Sequence, residues 1–141
     1  MQFRNPDERG SVSVWLALAT VAMTLCVGIA VDLGGHVHAQ QRAHALAAQA
    51  ARTAGEEVAV AEAVRGETPT VDTAAARRAA NSYLARAGVT GRVSVRAGNV
   101  LHVQVTDHYT PVFLGSIGVG TLTVSGESTA RLVRAVNGTE R

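Results

Sequence analysis

Between Ser11 and Val31 the chain runs Ser-Val-Ser-Val-Trp-Leu-Ala-Leu-Ala-Thr-Val-Ala-Met-Thr-Leu-Cys-Val-Gly-Ile-Ala-Val without a charge or a proline. A helix rises about 1.5 Å per residue, so this run reaches roughly 30 Å, the thickness of a bilayer's hydrocarbon core. Ser11, Ser13, Thr20 and Thr24 can return their hydroxyls to carbonyls one turn back, and Trp15 lies near one end, where an indole suits the interface. The expectation is a transmembrane helix over 11–31. A cleaved signal peptide would have a shorter apolar core and a small-x-small site, for which Val37-His38-Ala39 is a weak candidate; an uncut anchor is the preferred reading. Leu25 before Cys26 does not fit a lipoprotein signal, and a single cysteine allows no internal disulfide. Arg4 and Arg9 on one side nearly balance Arg42 and Arg52 on the other. Orientation therefore rests on the short N-terminal flank, residues 1–10, staying cytoplasmic while the larger C-terminal part crosses.

The remainder is about one small domain in size. Aromatic residues make up only 4% of the chain, so its core must be built from Ala, Val and Leu. All basic side chains are arginine, and the net charge is +2. The arginines are scattered and not interleaved with aromatics, which argues against a nucleic-acid surface.

From His36 to about Val64 the chain is rich in good helix formers, an Ala-rich stalk over 32–68. Ala39, Ala43, Leu46, Ala50 and Ala54 give a narrow stripe of small side chains. The stripe suits either packing on the protein's own sheet, which is preferred, or a partner helix. Whether the helix passes straight through Gly34-Gly35 or kinks there stays open. Arg65-Gly-Glu-Thr-Pro69 reads as a turn, and a second helix is expected from Thr73 to Ala87, with Thr70 or Asp72 as cap, Gly88 just beyond, and Ala76, Ala80, Tyr83, Leu84 and Ala87 on its apolar face. The period then changes to two. Val93 and Val95, then Leu101, Val103 and Val105, alternate with polar residues around Gly98-Asn99, a two-residue hairpin signal. A last strand is expected over 121–133 with a weak point at Gly126, before a tail at 137–141 whose Asn137-Gly-Thr139 matches a glycosylation acceptor. The fold class is α+β, with helix packed on a small antiparallel sheet and the exported domain at 69–136.

Chemistry is sparse. His36 and His38 fall on opposite sides of a helix, and His44, two turns from His36, has no cysteine or acidic ligand beside it. No carboxylate pair, nucleophile set or phosphate loop is visible, so neither a catalytic residue, a metal, a cofactor nor a small-molecule substrate is expected. The connection 110–120 is expected to open with one helical turn, Thr110 capping and Pro111 at its first position. Val112, Phe113, Leu114, Ile117 and Val119 make it unusually apolar for a loop. It is folded into the core, the preferred reading, or forms an interaction patch of Val112, Phe113, Leu114 and Ile117.

Four segments in order resemble the TadE/TadG-like proteins of Flp (tight-adherence) pilus assembly, of the actinobacterial type. Arg9-Gly-Ser-Val-Ser-Val14 is similar to the family's opening Arg-Gly-small-Val-Ala-Val, and Val31-Asp32-Leu-Gly34 to its membrane-exit Val-Asp-x-Gly. Ala47-Ala-Gln-Ala-Ala-Arg-Thr-Ala-Gly55 resembles its Ala-rich helix, and Gly120-Thr-Leu-Thr-Val-Ser-Gly-Glu-Ser-Thr-Ala-Arg131 its closing strand. The resemblance implies a non-enzymatic, single-pass membrane protein whose partners are the bilayer and other pilus-assembly or pseudopilin proteins, met through the Ala-rich helix and the exported domain. Asp32 and Gly34 are its membrane-exit residues. It also implies a candidate leader-peptidase cleavage after Gly10. In several members a Glu follows the Val-x-Val opening; Trp15 stands there instead, which favours an assembly protein over a fibre subunit. Two alternatives remain, a minor pilin and a signal-anchored exported enzyme or ligand-binding domain.

Overall fold

The computed structural model describes residues 8–65, 72–96, 99–132, 135–136 and 139–140, with side chains over 11–57, 72–96 and 99–132. The N-terminal flank before residue 8, the turn at 66–69, the Thr70 cap, Gly98, Val133 and most of the tail lie outside the described residues.

A single helix α1, Glu8–Arg65, carries both the apolar run and the Ala-rich stretch, and passes through Gly34-Gly35 without interruption. At about 1.5 Å per residue its length is roughly 87 Å. Thr20 and Thr24 donate to the carbonyls of Leu16 and Thr20 at 2.8 and 2.9 Å, so their hydroxyls are satisfied within the helix. Over the apolar run α1 touches almost nothing. Val12, Trp15 and Met23 are 67%, 70% and 74% exposed, and eleven large apolar side chains between Val12 and Val31 stand free. Each would cost about 1.5–3 kcal/mol if left in water, a total above the ~5–15 kcal/mol net stability of a typical domain. The helix is long and apolar enough to cross a membrane, and that environment removes the cost.

Beyond the run the same helix becomes a core element. Helix α2, Thr73–Arg86, is capped by Asp72, whose Oδ1 accepts from the N–H groups of Ala74 and Ala75 at 3.0 and 2.9 Å. It ends at Ala87, with Gly88 at φ +70° where a side chain would be strained. Ala76, Ala80 and Leu84 are buried, while Arg77, Arg78 and Arg86 face out. Strands β1, Thr90–Arg96, β2, Val100–Tyr109, and β3, Leu122–Arg131, form an antiparallel sheet in the order β1-β2-β3. A two-residue ribbon, β4 (Ala135–Val136) with β5 (Thr139–Glu140), follows. Arg96 pairs with Val100, so three residues rather than two link β1 and β2.

The core is one layer of helix on one face of the sheet. Ala43, Ala47, Ala50 and Ala54 of α1 are fully buried together with Leu101, Val103 and Val105 of β2, which settles the small-residue stripe as packing on the protein's own sheet and on α2. The row Gly91–Val105–Gly126 crosses all three strands. A Cβ at Gly91 would lie 2.5 Å from Leu84 Cδ1, and one at Gly126 would run into the backbone of Ala43 and His44. Gly126 is therefore not a weak point in β3. It is a place where the backbones of α1 and β3 lie so close that only a hydrogen fits between them. His44, far from any ligand set, places Nδ1 3.2 Å from the Glu127 N–H and accepts from it, covering part of the open edge of β3.

Gly126→Val should destabilise the folded domain by about 2 kcal/mol or more, since the opposing atoms are backbone and have no rotamer to yield. Gly120→Ala, where nothing lies within 4 Å, should be near neutral. Denaturant unfolding of the full chain in detergent, followed by tyrosine fluorescence or circular dichroism, measures both.

Candidate functional site

Where the apolar run ends, α1 presents Gly28, Asp32 and Gly35 at steps of four and three, hence on one side of the helix. The connection from β2 to β3 is folded against that side. A Cβ at Gly28 would lie 2.5 Å from Phe113 Cδ1, and one at Gly35 would strike the Tyr109 phenol. The two glycines thus make room for two aromatic rings, one on each side of Asp32. His36 adds an edge contact to Tyr109, with ring centroids 6.3 Å apart.

Asp32 is 3% exposed, and among the described residues it is the one buried charged or polar side chain. Its carboxylate reaches across to the connection. Oδ1 accepts from the Val112 N–H at 2.7 Å and from the Tyr109 hydroxyl at 3.2 Å, and Oδ2 accepts from the Leu114 N–H at 2.6 Å. These N–H groups open the short helix α3, Phe113–Ser116, which has no side-chain cap from its own segment. The expected start at Thr110 and Pro111 is thereby corrected. The turn begins two residues later because Asp32, eighty residues upstream of Val112, supplies the acceptor, while Thr110 Oγ1 lies 3.5 Å from Thr121 Oγ1. Burial opposes the charge on Asp32, but the N–H groups of Leu114, Val112 and Phe113 with the Tyr109 hydroxyl outweigh it and hold its carboxyl below the ordinary value. Desolvation, the bond to Asp32 and the charge of Asp32 push the Tyr109 phenol up.

The apolar connection is not core, contrary to the preferred expectation. Val112 and Ile117 are 69% and 71% exposed, Phe113 is exposed except where it meets Gly28, and Leu114 is half-buried. The connection has too little depth to be enclosed, because it lies on α1 below the edge of the sheet. Of the sequence candidates, Asp32 and the four apolar residues come together. Gly34 does not join them, since it faces open space. Gly10 lies at the start of α1, outside the residues whose side chains are described. Gly28, Gly35 and Tyr109 were missed; the spacing of both glycines from Asp32 was the available signal.

A groove between α1 and α2, lined by Thr53, Glu57, Arg78, Ser82 and Arg86, is shallow and open. Among the described residues no three His, Cys, Asp or Glu side chains are grouped to hold a metal ion. The Asp32 carboxylate ties the β2–β3 connection to α1 at the end of its apolar run.

Because the folded-state value of Asp32 is depressed, the native protein binds fewer protons than the unfolded chain in mild acid. Its contribution is full above the ordinary carboxylate value of 3.8 and is lost as pH falls through the lower folded value. Asp32→Asn should lower the unfolding midpoint at pH 7, because an amide nitrogen faces N–H donors. The gap to the parent should close as pH falls through the folded-state value. Thermal unfolding of both proteins between pH 7 and 2 checks this; a pH-independent gap would contradict the capping role.

Residues 10–52 match the family model described as TadE-like protein. No curated protein and no solved structure matches the chain. The matched segment takes in the apolar run, Asp32 and the small-residue stripe as far as Ala50. From Gly10 to Arg52, then, the chain is similar to the TadE-like family.

Proposed function

We propose that this protein is a non-enzymatic, single-pass membrane component that assists assembly of a Tad/Flp-type pilus or a related secretion system. The observation that carries the reading is the TadE-like match over 10–52, laid on a helix whose apolar side chains stand free over 11–31. In this reading the N-terminal flank is cytoplasmic and the sheet with α2 lies outside. The span holds the protein among other pilus-assembly or pseudopilin helices, and the outer domain meets their outer parts. It needs no cofactor and no small-molecule substrate, because its work is holding and positioning.

A minor pilin built into the fibre is the second reading, favoured by Gly10 before Ser11 and the apolar helix, the arrangement a leader peptidase cuts. Trp15 in the place of the usual glutamate supports retention in the membrane instead.

Deleting the gene should abolish surface pili while pilin synthesis continues; unchanged piliation would sink the proposal. Mass spectrometry of the N-terminus separates the two readings. A chain starting at Met1 or Gln2 is expected for the assembly component, and one starting at Ser11 for the fibre subunit.

A further inference from the structure

We infer that the β2–β3 connection enters the bilayer beside the span, so that the protein meets the membrane at two points of its chain. The inference rests on the reading of 11–31 as a membrane span. Phe113 packs on Gly28, three residues before the end of the apolar run. At about 1.5 Å per residue, that contact lies roughly 5 Å inside the end of the span. Phe113 also closes a shallow apolar groove on the span with Met23 and Val27. A segment at that level, joined to a helix whose free surface is lipid-facing, is surrounded by lipid on its outer side. Interfacial segments enter the headgroup and acyl boundary to about 5–10 Å, a depth that matches.

Two independent features suit the connection to that environment. Its large outward side chains are apolar: Val112 and Ile117 stand free, and no Asp, Glu or Arg occurs between Asp107 and Glu127. Arg42 and Asp107, 4.0 Å apart, mark where charge resumes farther along α1. Backbone donors in a membrane interface also need partners within the protein, since lipid chains offer none. Here Pro111 has no N–H, and Val112 and Leu114 donate to Asp32. Ile117, Gly118 and Val119 donate to the carbonyls of Leu114, Gly115 and Leu114 at 3.2, 3.2 and 3.0 Å, and Ser116 Oγ donates to the Phe113 carbonyl at 2.6 Å. The turn is apolar outside and hydrogen-bonded within. In this arrangement Asp32 has a second consequence: it satisfies, from just beyond the end of the span, donors that lipid could not.

The test places a single tryptophan in the full chain, in a Trp15→Phe background, reconstituted into phosphatidylcholine–phosphatidylglycerol vesicles with bromine at known depths on the acyl chains. Ile117→Trp and Val112→Trp, both at exposed positions that packing does not constrain, report on the connection. Met23→Trp reports on the middle of the span and Arg96→Trp on the far end of the sheet. The expected result is blue-shifted emission at 117 and 112, quenched most by shallow bromines, with position 23 quenched most by deep ones and position 96 by neither. Quenching at 23 with water-like, unquenched emission at both 117 and 112 overturns this inference and leaves the span intact. No quenching at 23 overturns the span reading, and this inference with it. Blue-shifted emission at 117 that no bromine quenches, and that grows with the protein-to-lipid ratio, also overturns it and assigns the surface to a second copy of the chain.

Discussion

The backbone of α1 can lie directly against its neighbours because the residues between them are small. Gly28 and Gly35 receive aromatic rings, Ala43 to Ala54 receive the sheet and α2, and Gly126 returns the favour from β3. With so few large side chains available, a core of ordinary thickness cannot be filled. Dispersion falls off within a fraction of an ångström, so a thin core is cohesive only if the backbones approach until small groups touch. The single layer of helix and the position of the connection on α1 both depend on that approach.

Asp32 plays a different part. Apolar contact between α1 and the connection has no direction, and a short turn of four residues carries no stability of its own. Three hydrogen bonds to one buried carboxylate give that turn a place and an orientation. The charge is tolerated there because the donors around it are charge-assisted partners rather than an apolar wall.

Much of this was legible in the sequence. A helix long and apolar enough to cross a membrane followed from length and absence of charge, α2 from Asp72, the Ala-Leu periodicity and Gly88, and the strands from the alternation around Val93 and Val103. The TadE-like segment could be read from motifs in order. What could not be read was contact between distant residues. Nothing near Val112 announces that its cap is Asp32, so the local signal of Thr110 and Pro111 pointed to a different helix start. Gly126 looked like a lapse in β propensity because the argument for it stands on another element, at Ala43. The ordinary rule for loops in water reads the apolar connection as core, but it lies on one side of α1 with nothing over Val112 and Ile117.

The continuity of α1 through Gly34-Gly35 has a geometric consequence. A hinge between the apolar run and the domain would let the sheet face any direction; an unbroken helix, bound to the connection at one level and to β3 at another, does not. The direction in which the sheet faces is fixed by the rotational setting of the apolar part of α1. A helix advances about 100° per residue, so the face the sheet turns toward its surroundings is encoded in the number of residues between Gly28 and Ala43, as the bit of a key is set by its shaft.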